Sequence, residues 1–428
     1  MGCKEWDKKV VRLLLERDDV NPNTVDKCGQ TPLSFAARNG HKGVVRILLE
    51  RNDVNPNKAD TVLGQAPLSR AAENGGEEVV KLLLERDDVD SDTVDKCGQT
   101  PLSFAARNGH SGVVRILLRR SNVNPNAPNE YGQTPLSFAA QNGHEGAVGV
   151  LLERYGVDPD IPDLHGQTPL SFAAQNGHEA VVRILLGQNV NPNAPNEDGQ
   201  TPLSFAAQNG HEGVVRILLG RNEVNPNTAD TELGQTPLSW AVGNGEEGVV
   251  RLLLERDDVN PGTPDEYGQT PLSRAVEYRH EGIVRLLLER IDVNPNTVDT
   301  LFGQTPLSRA AWDGHKEVVK VLLERDDVSP NTPDANGQTP LSFAAQNGHE
   351  EVVRLLLERS DINPDTPDNS GRTPLWLAAR NGHEGIAERL WGRAYSIPRH
   401  PADLVLTRRF YPEPPEPSDP PSKRTRRF

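Results

Sequence analysis

Gly337-Gln-Thr-Pro-Leu-Ser-Phe-Ala-Ala-Gln-Asn-Gly-His-Glu-Glu-Val-Val-Arg-Leu-Leu-Leu-Glu358 is the stretch from which the fold can be read. Thr339 is a good N-cap and Pro340 a good first helical residue, so a helix starts there. Leu341, Ala344 and Ala345 fall at i, i+3 and i+4 and give it one narrow apolar face. Asn347-Gly348-His349 ends that helix, with Gly348 free to take the left-handed conformation. A second helix carries Val352, Val353, Leu355, Leu356 and Leu357, a broader apolar face suited to burial between neighbours. In this unit and most others Asn-Pro and Thr-Pro steps follow, forcing extended or turn backbone. The unit is helix, tight turn, helix, extended loop. One such pair cannot bury its own apolar face, so copies must stack.

Copies are present. The Gly-Gln-Thr-Pro-Leu pentapeptide recurs, with small variations, at Gly29, Gly64, Gly98, Gly132, Gly166, Gly199, Gly234, Gly268, Gly303, Gly337 and Gly371. The spacing stays between 33 and 35 residues. Eleven units therefore span residues 29–392, numbered one to eleven here. Residues 1–28 read as a partial unit with a second helix and loop only. Residues 393–428 leave the pattern: Pro412, Pro414, Pro415, Pro417, Pro420 and Pro421 deny regular structure, so a disordered tail is expected.

The unit resembles the ankyrin repeat, over roughly residues 10–392. This implies an all-α solenoid of stacked helix-turn-helix units with extended loop tips. It also implies a partner-binding concave groove lined by the first helices and the tips. Loops such as Asp-Val-Asn-Pro-Asn-Thr-Pro-Asp are similar to fungal-type tandem arrays. That likeness adds an alternative, a truncated recognition arm of a larger receptor-like or signalling protein. Two departures stand out. Ser replaces the usual His after Thr-Pro-Leu, and Arg-Asp-Asp or Arg-Asn-Asp replaces the usual Gly after most second helices.

Composition narrows the function. With 61 acidic against 46 basic side chains the net charge is −15, which argues against nucleic acid or an anionic membrane surface as partner. Three cysteines, Cys3, Cys28 and Cys97, give no disulfide framework and suit a reducing compartment. No run approaches eighteen apolar residues. Met1-Gly-Cys-Lys-Glu-Trp6 has no apolar core of a secretory signal, and Trp6 stands where a myristoylation site wants Ser or Thr. A cytoplasmic, monomeric protein is expected, with Lys423–Arg427 a candidate nuclear-import run.

Two places vary between copies. One is the tip pair before each repeat glycine, such as Glu130-Tyr131 and Glu266-Tyr267. In three units the tip is a residue longer: Thr61-Val62-Leu63, Thr231-Glu232-Leu233 and Thr300-Leu301-Phe302. The other is a stripe on the first helix at six and nine residues past the glycine, two positions that share a face. The three longer tips accompany Arg70, Trp240 and Arg309 at position six, so tip and stripe changed together. For the recurring Phe at position six, packing between units and exposure in the groove are both open. Aromatic and Arg side chains in a groove are common hot spots. The candidate partner-binding residues are Arg70, Glu73, Tyr131, Leu233, Trp240, Tyr267, Arg274, Glu277, Phe302, Arg309, Trp312 and Phe343, with the principal contact at residues 230–315.

Apparent chemistry reads as architecture. Nine histidines, His41 and His349 among them, lie at inter-helix turns and are expected to cap them. Equivalent positions in stacked units stand about 8–10 Å apart, too far to share an ion that needs ligands at about 2 Å. Cys28 and Cys97 lie two units apart, roughly 20 Å by the same spacing and beyond disulfide reach. The recurring Ser lacks a nucleophile elbow. Neither cofactor nor catalytic set is expected, and a non-enzymatic scaffold for a protein partner is the favoured reading.

Overall fold

The computed structural model describes residues 3–17 and 19–394. Among them are twenty-three α-helices and no strand. A lone helix (Cys3–Leu15) comes first, then eleven helix pairs, from Pro32–Arg38 with Lys42–Leu49 to Pro374–Arg380 with Glu384–Ala394. First helices pack on first helices and second on second, so the chain is an all-α solenoid. The last helix runs to Ala394, two residues into the expected tail; the rest of that tail and the import run lie outside the described residues.

Each first helix begins as its residues dictate. Thr339 caps it by accepting the Ser342 N–H at 3.3 Å, with Pro340 behind it. The Ser hydroxyl, fully buried, bonds Thr339 Oγ1 at 3.0 Å. The Ser that replaces His thus completes the cap of its own helix. Unit two shows what the pair does, because Ala66 stands where Thr should be. There the helix lacks a side-chain cap, and the buried Ser69 hydroxyl has no partner. At the other end Gly348 has φ 78°, as the turn demands. Arg279 takes the same turn in unit eight with φ 60°, the one positive-φ residue other than glycine among those described.

Three hydrogen-bond ladders join the units. Along the tips, an N–H of each unit donates to a carbonyl of the unit before, as Glu130 to Cys97 (3.0 Å) and Leu164 to Tyr131 (2.9 Å) do. The bond occurs at every joint from Cys28–Thr61 to Asn336–Asn369. In the Asn-Pro-Asn loops the second Asn bridges two ways. Asn57 Nδ2 donates to the Asp88 carbonyl at 2.6 Å, and its Oδ1 accepts the Asp90 N–H at 2.9 Å. The third ladder explains Arg-Asp-Asp. Arg325 donates to the Leu288 carbonyl at 3.1 Å, at the end of the preceding unit's second helix, while pairing with Asp327. Helix ends leave such carbonyls orphaned, and a guanidinium suits their partial charge. The Arg that replaces the usual Gly therefore caps a helix of the neighbouring unit. That hydrogen bond to Arg325 holds the Asp327 carboxyl below its usual range.

The histidines also act across joints. Their side chains make no cap bond to their own helices. Instead Nε2 of His110, His144, His178, His211, His349 and His383 bonds the position-nine carbonyl of the unit before, at 2.9–3.1 Å. The turn-capping expectation is corrected accordingly. His41, His280 and His315 lack this bond, and His315 is the buried one: it faces Arg279 and its Nδ1 lacks a partner. Burial, reinforced by the Arg279 charge, lowers its pKa.

Candidate functional site

Position six packs between units. Phe104, Phe138, Phe172, Phe205 and Phe343 are at most 5% exposed, whereas Phe35 is 56% exposed. Phe35 differs in having no first helix before its own in the described chain. The preceding unit's first helix therefore covers this side chain, which settles the open choice for Phe in favour of packing. Phe343 shows the contact directly: the Trp312 ring meets it edge-on, with centroids 5.2 Å apart. Phe343 offers almost no surface to a partner.

The polar residues at position six face the tip. Each tip is built on an acid (or Asn) whose Oδ1 accepts backbone N–H groups; Asp60 takes those of Val62 and Leu63 at 3.0 and 2.8 Å. Its second oxygen receives Arg70 Nη2 at 2.9 Å, and both side chains are buried. Burial opposes the Asp60 charge, but the Leu63 N–H and Arg70 outweigh it, so the carboxyl sits below its usual pKa. Trp240 does the same with Nε1, 2.9 Å from Asp230 Oδ2. Arg274 Nη1 lies 3.8 Å from Asp265 Oδ2. In units two and seven the position-six side chain that accompanies the longer tip donates to the tip carboxylate. As free groove hot spots Arg70, Trp240 and Arg274 are corrected, since their polar ends are directed inward.

Arg309 behaves differently. It pairs with Glu277 of the preceding unit at 3.2 Å and with Asp313 at 2.9 Å, and Glu277 also accepts from Gln269 Nε2 at 2.9 Å. In this half-buried network the Arg309 charge is met from within by two carboxylates. Glu73 is half-buried beside Arg70, at 3.4 Å. Trp312 keeps 40% of its surface exposed.

The tips are where apolar surface reaches solvent. Tyr131, Tyr267 and Phe302 are exposed, and Leu233 is half-buried. Leu164, Leu301, Val62 and Leu63 are also exposed at tips, though sequence reasoning did not rank them as contacts. Their signal was an apolar residue beside the repeat glycine. Cys28 and Cys97 are exposed free thiols. No group of acids, His and Cys able to hold a metal ion occurs among the described residues, nor does a helix long and apolar enough to cross a membrane.

Stacked helix pairs with a comb of hydrogen-bonded tips define a helical-repeat protein of the interaction-module type. The chain belongs to the ankyrin repeat family: a family profile of three-copy ankyrin repeats matches residues 2–95, 68–163, 155–230, 221–299 and 307–397. No curated protein matches the chain. Ankyrin repeat proteins are generally protein–protein interaction modules and typically non-enzymatic.

Proposed function

We propose that this chain is a non-enzymatic scaffold that binds a protein partner along its loop tips and the adjoining edge of the first helices. One observation carries the proposal: large apolar side chains, normally buried, stand exposed on tips that a backbone ladder holds in register. Such pre-ordered tips lose little conformational entropy on binding. The recurring Ser and His, which could have done chemistry, are occupied in caps and joints. An acidic surface disfavours nucleic acid.

Affinity capture with quantitative mass spectrometry tests this, comparing the native chain with Tyr131→Ser/Tyr267→Ser/Phe302→Ser. A partner held by the native chain and lost by the variant, at unchanged thermal stability, is expected. If both recover the same proteins, the tips are not the site.

A further inference from the structure

The tip row has a pattern of its own. Tyr131 and Leu164, 56% and 62% exposed, sit on neighbouring tips joined by the 2.9 Å ladder bond. Four units further on, Tyr267, Leu301 and Phe302 form a second apolar pair of tips, joined by the Thr300 N–H to the Tyr267 carbonyl at 2.9 Å. Between them the tips of units six and seven present Glu197, Asp198 and Glu232, all exposed, while Glu130 and Glu266 stand beside the aromatic residues. From unit four to unit nine the tip pairs contain no Lys or Arg. Position nine in units four to seven is Gln141, Gln175, Gln208 and Gly243, so the adjoining stripe offers these carboxylates no counter-charge. The basic tips, Lys27 and Lys96, lie in units one and three.

We propose that the tips of units four to nine bind an extended segment of a partner protein with a basic centre and an apolar anchor at each end. This rests on the scaffold reading and names the partner's chemistry. Stacked units are spaced by about 9 Å, so four units span about 36 Å, which is about eleven residues of extended chain at about 3.3 Å each. Each unit then meets about three residues of the segment. The apolar anchors enter the Tyr131/Leu164 and Tyr267/Phe302 pairs. The Lys and Arg residues between them lie over Glu197, Asp198 and Glu232, where opposite charge favours encounter and orientation. A second copy of this chain would set acid against acid along the same row.

The test is a display library of random peptides of about sixteen residues, selected on the full chain and followed by fluorescence anisotropy of the enriched sequences. The expected sequences carry several Lys or Arg between apolar residues ten to twelve apart. Tyr131→Ser/Leu164→Ser and Tyr267→Ser/Phe302→Ser should each weaken binding about tenfold or more. Glu197→Gln/Asp198→Asn/Glu232→Gln should remove most of its salt dependence. All three variants should melt with the native chain. Enrichment of neutral or acidic peptides, or of peptides indifferent to the tip variants, overturns the inference while leaving the scaffold reading intact. So does capture of a folded partner by the tips when no peptide is enriched. Light scattering that shows the row occupied by a second copy overturns it as well. If neither peptide nor protein is retained, the inference and the scaffold reading fall together.

Discussion

Asp92 and Asp160 occupy loop positions where seven other joints place a bridging Asn, and they fill only half of its role. Each accepts the next unit's N–H, from Asn124 and Asn191 respectively, both at 2.9 Å. Neither carboxylate can donate to the carbonyl that Asn57 or Asn126 reaches at 2.6–2.7 Å. In both, Oδ1 is buried without a partner. Asp92→Asn and Asp160→Asn should therefore restore the missing bond. A net hydrogen bond contributes about 1 kcal/mol, and relieving a buried unsatisfied oxygen about 1–3 kcal/mol, so each substitution should stabilise its joint by about 2–4 kcal/mol at neutral pH. Burial raises the pKa of both carboxyls. A protonated carboxyl can donate as the amide does, so the native joint is strongest below the unfolded-state pKa of about 3.9. It weakens as pH rises through the folded-state value. The gain from Asn should accordingly be smallest below the unfolded-state value, at about pH 3, and full at pH 7. Because stability in repeat arrays is local to each interface, the assay is amide hydrogen exchange across residues 88–126 and 156–193, beside urea unfolding at both pH values. Asp365 holds the same position in the last unit, exposed, with no further helix pair after that unit among the described residues, so Asp365→Asn should change nothing. No gain at pH 7, or an equal gain at about pH 3, refutes the reasoning.

Three further outcomes are expected. Ala66→Thr should cap the first helix of unit two and give Ser69 a partner, raising stability by about 1 kcal/mol in urea unfolding. Unit eight, strained at Arg279, should exchange its amides first; Arg279→Gly should slow that exchange by about 1 kcal/mol, and uniform protection along the array would contradict this. Arg70→Ala, which strands the buried Asp60, should cost about 3–5 kcal/mol in the same assay, and Arg70→Phe, which fills the volume but removes the same donor, should also destabilise. No loss from either substitution would return Arg70 to the list of contacts.

Nearly all of the fold was legible in the chain, because the signals that start and stop each helix act within a few residues. Thr339-Pro340 opens one helix and Gly348 closes it whatever lies beyond, and eleven copies at a constant spacing leave stacking as the way to bury the apolar faces. The candidate site was half legible. Tyr131, Tyr267 and Phe302 were recognisable as variable tip residues in an otherwise regular unit, and the structure leaves them exposed. Arg70, Trp240 and Phe343 looked like their equals but are turned inward. Their fate depends on atoms that local spacing does not bring together: the tip acid ten residues earlier, and a first helix one unit back. The same distance hid the roles of His349 and Arg325, whose partners are carbonyls 37 residues away in the chain. The sequence by itself determined the unit, its period and its all-helical class, since those follow from local backbone preferences and apolar spacing. Which side chains fasten the units together and which remain for a partner was decided only when the units stacked, because burial and hydrogen-bond partnership are properties of the neighbour.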